Sequence, residues 1–277
     1  MTINCKGNLI DLNSPKIMGV LNITPDSFYD GGKFKDSTTV ITQVEKMLAD
    51  GATFIDVGAY SSRPGAENVS ETEELQRIVP IVDLLVNKFP EIVLSIDTFR
   101  AKVAKECIIA GAAMVNDISA GNLDAAMMHI VSQLKVPYVM MHLKGTPQNM
   151  QQNTTYNHLL KDILYYFSEK ITDAHEKGII DIIVDPGFGF SKNLAQNYEL
   201  MQKLELFNIT KKPILVGISR KSMIYKVLKS DAKNALNGTT ALNTIALLKG
   251  ANILRVHDVK EALECIKIVQ QLNAVNR

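Results

Sequence analysis

Short apolar runs ending in a polar or charged residue recur along this chain, and amphipathic stretches separate them. Residues 17–21 lead into Asn22, 54–55 into Asp56, 92–96 into Asp97, and 113–115 into Asn116 and Asp117. Residues 138–141 lead into His142 and 182–184 into Asp185; 214–218 lead into Ser219, Arg220 and Lys221, and 253–254 into Arg255 and His257. Between them, residues 37–50, 71–88, 101–110, 122–134, 156–177, 194–206, 221–229, 237–249 and 259–272 carry apolar positions at the helical period. Glycine then alanine closes three of these helical stretches, at Gly51, Gly111 and Gly250, which reads as a helix C-cap followed by a tight turn into the next strand.

Alternating strands and helices also suit a doubly wound open sheet. Eight units, each strand with a polar end, favour closure into a (β/α)8 TIM barrel of the α/β class. In that fold all strand ends meet on one face, where barrel enzymes keep their chemistry. Residues 2–12 predict a short β-hairpin with Gly7 and Asn8 at the turn, able to close the barrel bottom. The expected organisation is a single domain over 1–277, with the barrel from about 15 to about 275. Two connections, 22–36 and 58–70, are long, polar and glycine-containing; placed over the catalytic face, they read as lids.

Bulk properties narrow the partners. The chain has 277 residues, close to the roughly 250 of a typical barrel. A net charge of +1 argues against a broad nucleic-acid-binding face and leaves room for a local basic cluster. No apolar run approaches the roughly 18 residues of a membrane span, and the first residues lack the order of a signal peptide. Cys5, Cys107 and Cys265 are scattered and unpatterned, which points to a reducing compartment and away from a zinc site. A cytoplasmic location is expected.

Strand-end residues supply the candidate chemistry. Asp97, Asn116 and Asp185 would converge at the mouth, where two carboxylates and an amide suit a flat heterocycle with an amino-pyrimidinone edge. A lone strand-end Asp is often only a helix cap; several on one face make a site. Ser219, Arg220, Lys221 and Ser222 follow the seventh strand and open a helix. Arg255 and His257 sit on the eighth strand with Val256 between them, so they share a side. Together these predict a cationic anion-binding corner at the fold's usual phosphate site. Asp185-Pro-Gly-Phe-Gly-Phe190 lacks dinucleotide-loop spacing and reads as a tight turn presenting Phe190 for ring stacking.

Seven motifs in order give the chain a family resemblance. They are Met18-Gly-Val-Leu-Asn-Ile-Thr-Pro-Asp-Ser-Phe28, Asp56-Val-Gly-Ala-Tyr-Ser-Ser-Arg-Pro-Gly-Ala-Glu67, Ser95-Ile-Asp-Thr98, Val115-Asn-Asp-Ile-Ser119, Asp185-Pro-Gly-Phe-Gly-Phe190, Gly217-Ile-Ser-Arg-Lys-Ser222 and Arg255-Val-His-Asp-Val259. Over nearly its whole length the chain resembles the dihydropteroate synthases, pterin-binding barrel enzymes of folate biosynthesis. The resemblance implies condensation of 6-hydroxymethyl-7,8-dihydropterin pyrophosphate with 4-aminobenzoate, giving 7,8-dihydropteroate and pyrophosphate. It implies that Asp97, Asn116, Asp185 and Lys221 hold the pterin, and that Asn22 helps coordinate Mg²⁺ with the pyrophosphate. Ser62, Arg63, Arg255 and His257 would grip the anion. Pro64, Phe190, Arg220 and Ser222 would form the aminobenzoate site, which sulfonamides occupy in this family. Asn22, Asp97, Asp185, Lys221, Arg255 and His257 form the implied catalytic set, and a homodimer is expected.

Two positions depart from the family pattern: Ser62 stands where Thr is usual, and Tyr225 where Gly is expected. Two alternatives stand beside the synthase reading. A methyltetrahydrofolate:corrinoid methyltransferase shares the barrel and the pterin pocket but gives no reason for the Arg255–His257 corner. A non-catalytic pterin-binding paralogue would not need every site position filled.

Overall fold

The computed structural model describes residues 1–23, 29–30, 33–34, 37–60 and 69–274. The hairpin comprises β1 (Thr2–Cys5) and β2 (Asn8–Asp11), antiparallel with Cys5 opposite Asn8. Its turn falls on Lys6 and Gly7, one residue earlier than the sequence predicts, and both residues have positive φ (55° and 87°). Such a pair matches a type I′ turn, whose twist suits a hairpin. The expectation missed it because lysine rarely adopts that region.

Eight strands form the parallel sheet: β3 (Lys16–Asn22), β6 (Phe54–Gly58), β7 (Leu94–Asp97), β8 (Met114–Asp117), β9 (Tyr138–Met141), β10 (Ile182–Asp185), β11 (Leu215–Val216) and β12 (Ile253–Val256). A two-residue antiparallel pair, β4 (Tyr29–Asp30) with β5 (Lys33–Phe34), lies between β3 and β6 in the chain. The spatial order is β10-β9-β8-β7-β6-β3-β12-β11. A parallel bridge from Val184 to Ile214, with Val184 N–H donating to Pro213 O at 2.9 Å, joins the two ends. All eight predicted strands are present, and the sheet closes into the expected TIM barrel.

The helices are α1 (Ser37–Ala49), α2 (Glu71–Lys88), α3 (Ala101–Ile109), α4 (Met127–Leu134), α5 (Leu159–Glu176), α6 (Leu194–Gln202), α7 (Ser222–Tyr225), α8 (Leu236–Leu248) and α9 (Val259–Ala274). Four predicted helices come out shorter by four residues or more, among them 156–177, which spans Leu159–Glu176. The 122–134 stretch begins at Met127, because the Asp117 carboxylate captures the N–H groups of Ser119 and Gly121 and holds a turn there. Helix 194–206 stops at Gln202 and gives way to a 3₁₀ segment, Leu204–Thr210. Helix 221–229 is a single turn, ending at Tyr225, whose ring packs partly buried against the core.

The glycine-alanine repeat is structural. At Gly51, Gly111 and Gly250 the glycine N–H donates three residues back, and the following alanine N–H donates five back, at 2.9–3.1 Å throughout. That is the Schellman C-cap, and it needs the positive φ each glycine shows.

Strand alternation sets the layers of the interior. On β6, Phe54 and Asp56 share the inner face while Ile55 and Val57 meet the helices. The same parity puts Met18, Met114, Ile183 and Ile253 in a lower apolar layer with Phe54, which hairpin residues Ile3, Cys5 and Leu12 seal from below. Asn4 N–H bonds Asp181 Oδ2 (3.0 Å) and Lys6 Nζ bonds Gly111 O (3.0 Å), fixing the hairpin to the barrel floor. Two residues beyond Phe54, Met114, Ile183 and Ile253 stand Asp56, Asn116, Asp185 and Arg255, so the upper layer is polar there. Among the described residues no helix is long and apolar enough to cross a membrane. All three cysteines are buried and unpaired.

Candidate active site

The mouth is built around Arg255. From β12 its Nε donates to Asp56 Oδ2 at 2.6 Å and its Nη2 to Asp97 Oδ2 at 2.7 Å. Asn116 Nδ2 donates to the same Asp56 oxygen at 2.9 Å. One guanidinium thus ties four strands together through two carboxylates and an amide. Burial pushes the Asp97 carboxyl up to about 7; Arg255 opposes the rise and the Asp56 charge adds to it. Gly58 makes room for this arrangement, since a Cβ there would lie 3.2 Å from Asp97 Cβ. Asp56 Oδ1 is buried without a hydrogen-bond partner.

Opposite stands Asp185. Its Oδ1 accepts from Gly187 N–H at 2.8 Å, which folds the turn back over the strand end. Burial raises its pKa, and the charges of Lys221, Arg255 and Lys192 oppose that rise. Lys221 Nζ bonds Phe188 O at 2.6 Å and lies 4.5 Å from the centre of the Phe190 ring, a cation–π arrangement. Burial brings Lys221 down to about 8. Gly187 has φ +74°, and a Cβ on it would stand 2.3 Å from the His142 carbonyl oxygen, so only glycine fits this turn.

Two arginines of the expected cationic corner are paired within the chain. Arg220, at φ 56°, makes a two-pronged pair with Asp258 (2.8 and 2.7 Å) and also bonds the carbonyls of Ala232 and Lys233. Arg255 faces carboxylates, and Lys221 turns inward. His257 is exposed, with N–H and Nδ1 at 3.2 and 3.1 Å from Ser219 Oγ. The partners Asp56 and Asp258 are not legible in the sequence, because one is distant in the chain and the other looks like a surface residue. Ser222 opens α7, and Asn22 ends β3 half-buried. Ser62, Arg63 and Pro64, and with them most of both predicted lids, lie outside the described residues.

Asp97, Asn116, Asp185, Lys221, Phe190 and Arg255 are therefore linked around one mouth, directly or through shared partners. Sequence reasoning left out Asp56, His142 and Lys192. Asp56 had the same signal as Asp97, an acid at a strand end, and its partner-sharing with Arg255 becomes visible only in three dimensions. His142 also carried the strand-end signal. Lys192 had none, because a lysine beside a helix start reads as surface.

A closed barrel with carboxylates, an amide and an aromatic side chain gathered at its mouth is the framework of a barrel enzyme. The pterin binding enzyme family matches residues 18–257. The dihydropteroate synthase of Escherichia coli K12 is 40% identical over 276 residues, covering 98% of this chain and 96% of that one. The dihydropteroate synthase of Clostridium beijerinckii is 44% identical over 255 residues, covering 91% of this chain and 92% of its own. The crystal structure of the Yersinia pestis dihydropteroate synthase with a sulfonamide drug complex superposes with a TM-score of 0.92 at 40% identity, covering 99% of this chain and 100% of that one. The chain belongs to the dihydropteroate synthase family of pterin-binding enzymes.

Proposed function

We propose that this barrel joins 6-hydroxymethyl-7,8-dihydropterin pyrophosphate to 4-aminobenzoate, releasing pyrophosphate and 7,8-dihydropteroate. The observation that carries the reading is the linked set Asp56–Arg255–Asp97–Asn116 facing Asp185 and Lys221 across one mouth. The carboxylates of Asp97 and Asp185 accept from the adjacent N–H groups of a pterin edge, and Asn116 both donates and accepts. Phe190 and Lys221 border the ring.

Arg255 has a second duty. When the pterin engages Asp97, the Nη2 that held it is released toward the pyrophosphate, while the Asp56 bond keeps the guanidinium oriented. The positive charge then meets negative charge as it develops on the leaving oxygen. His257, with Ser62 and Arg63 from the second loop, completes the anion grip in this reading. Pro64, Phe190, Arg220 and Ser222 border the aminobenzoate, and the Asp258 pair holds Arg220 in place.

Mg²⁺ is read here as an ion shared with the substrate. Among the described residues no three His, Cys, Asp or Glu side chains gather into a metal site. Asn22 offers one neutral oxygen at the mouth, and pyrophosphate oxygens and waters would complete the octahedral shell this ion prefers. Bound there, Mg²⁺ would neutralise charge on the leaving group.

The substitution is dissociative in this proposal. The methylene C–O bond breaks, its electron pair leaves on the pyrophosphate, and the electron-rich pterin carries the cation. The aniline nitrogen then attacks and loses a proton. A homodimer in the cytoplasm belongs to the same reading; the buried free thiols fit a reducing compartment.

Positional isotope exchange checks the order of events. With ¹⁸O in the bridging position and no 4-aminobenzoate present, the label is expected to move into non-bridging pyrophosphate oxygens. A label that stays fixed until the amine is added would replace the dissociative step with direct displacement.

A further inference from the structure

Beneath the Asp185–Phe190 turn lies a lysine that the reaction as described does not use. Lys192 is 3% exposed. Its Nζ donates to Gly187 O and Phe190 O, both at 3.0 Å, and stands 3.1 Å from His142 Nδ1. Burial and the neighbouring lysine charges hold the His142 pKa well below its usual value, so the ring is neutral and can accept at Nδ1. Three N–H bonds of an ammonium thus meet three acceptors. None of these acceptors is a carboxylate. A buried cation without an ion-pair partner is costly, and a methionine would fill the same space without a charge to bury. Among the groups acting on Lys192, Asp185 is the one that favours its charged form.

We propose that Lys192 is a positioning residue for the pterin site: it clamps both ends of the Gly187–Phe190 turn and keeps the Asp185 carboxylate charged while Lys221 is occupied with substrate. This rests on the pterin reading above. Lys192 holds the turn whose Gly187 N–H bonds Asp185, and the charges of Lys192 and Lys221 both act on that carboxylate without contacting it. The other charged or titratable groups facing this region are Arg255 from β12, Asp97 from β7 and His142 after β9. Arg255 is always charged and His142 is neutral. Asp97 titrates near 7, and Lys192 is not among the principal groups acting on it. Lys192 itself is pushed down to about 7 by burial, so its charge is fully present on the acid side of neutrality.

The sign of the effect follows. A nearby positive charge lowers a carboxylate pKa. Removing it lets Asp185 protonate at higher pH, and a protonated Asp185 no longer offers two acceptors. Calorimetric titration with 6-hydroxymethyl-7,8-dihydropterin from acid to neutral pH tests this. In Lys192→Gln the acid limb of pterin affinity is expected to move to higher pH, and Lys192→Arg is expected to return it toward the wild-type position. A loss of affinity equal at every pH, or none, would overturn the proposal and make Lys192 a packing residue.

A reciprocal arm needs neither variant. Side-chain ¹⁵N NMR of Lys192 in an Asp185→Asn background is expected to show its pKa falling, since linkage requires each group to shift the other equally. An unchanged lysine titration would also overturn the coupling. This arm uses no ligand, so it stands even where wild-type protein binds no pterin, a result that would count against the functional reading instead.

Discussion

Asp185→Ala is expected to abolish measurable pterin binding. The carboxylate is 6% exposed on the inner face of β10, directed at the mouth, with one oxygen engaged by Gly187 N–H. Hydrogen bonds to a charged acceptor contribute about 1.5–3 kcal/mol each, so losing a pair to the pterin edge costs roughly two to four orders of magnitude in affinity. Alanine also frees Gly187 N–H, which loosens the turn carrying Phe190. Asp185→Asn separates the two effects: it keeps an acceptor for Gly187 but exchanges one pterin acceptor for a donor, so affinity is expected to fall while the melting temperature holds. Calorimetry with the pterin reads the result, and unchanged affinity in Asp185→Ala would refute the placement of the ring.

Arg255→Met is expected to produce the largest loss of stability among site variants. It leaves Asp56 and Asp97 without their shared cation, and removing one member of a buried ion pair costs about 3–5 kcal/mol. For a chain of this size that corresponds to a melting temperature lower by roughly 10 °C. The deficit depends on pH. Asp97 already has a folded pKa of about 7, above its ordinary 3.8, and it rises further without Arg255. A carboxyl raised in this way favours the folded state below its unfolded pKa and loses that contribution as pH rises through the folded value. The penalty is therefore expected to widen as pH rises above about 7, where the wild-type carboxyl ionises against Arg255 and the variant's stays protonated. Adding Asp56→Asn should recover part of it by removing one unpaired charge. Thermal melts across pH decide the matter; a pH-independent deficit would mean that lost packing, not lost charge pairing, dominates.

Both predictions reach back to how much of this molecule can be read from its sequence. The eight strands were legible because a barrel buries both faces of each strand yet exposes one end, so an apolar run closing on a polar residue marks strand and site together. The repeated Gly-Ala caps were legible because only glycine readily takes the left-handed turn they need. Helix lengths were not. The start of α4 is set by the Asp117 side chain capturing two backbone amides, a competition invisible to helical periodicity.

The same limit applies in the site. Asp97, Asn116, Asp185, Lys221 and Arg255 were found by position, but their pairing was not. Asp56 and Arg255 are 199 residues apart and meet only because β12 and β6 flank β3. Arg220 read as an anion ligand, and its bonds to Asp258 emerge only once the loop after β11 folds beside the start of α9. Lys192 was hidden by chemistry, since lysine is ordinarily a surface residue and burial without an acid partner leaves no mark in sequence.

Synthesis itself is the most direct test of whether these distant residues act as one site. Purified protein is mixed with 6-hydroxymethyl-7,8-dihydropterin pyrophosphate, 4-aminobenzoate and Mg²⁺, and products are followed by mass. The account predicts 7,8-dihydropteroate and pyrophosphate in equal amounts, with neither formed by Asp185→Ala. Pterin bound without any pteroate, or pteroate formed equally well without Asp185, would contradict it.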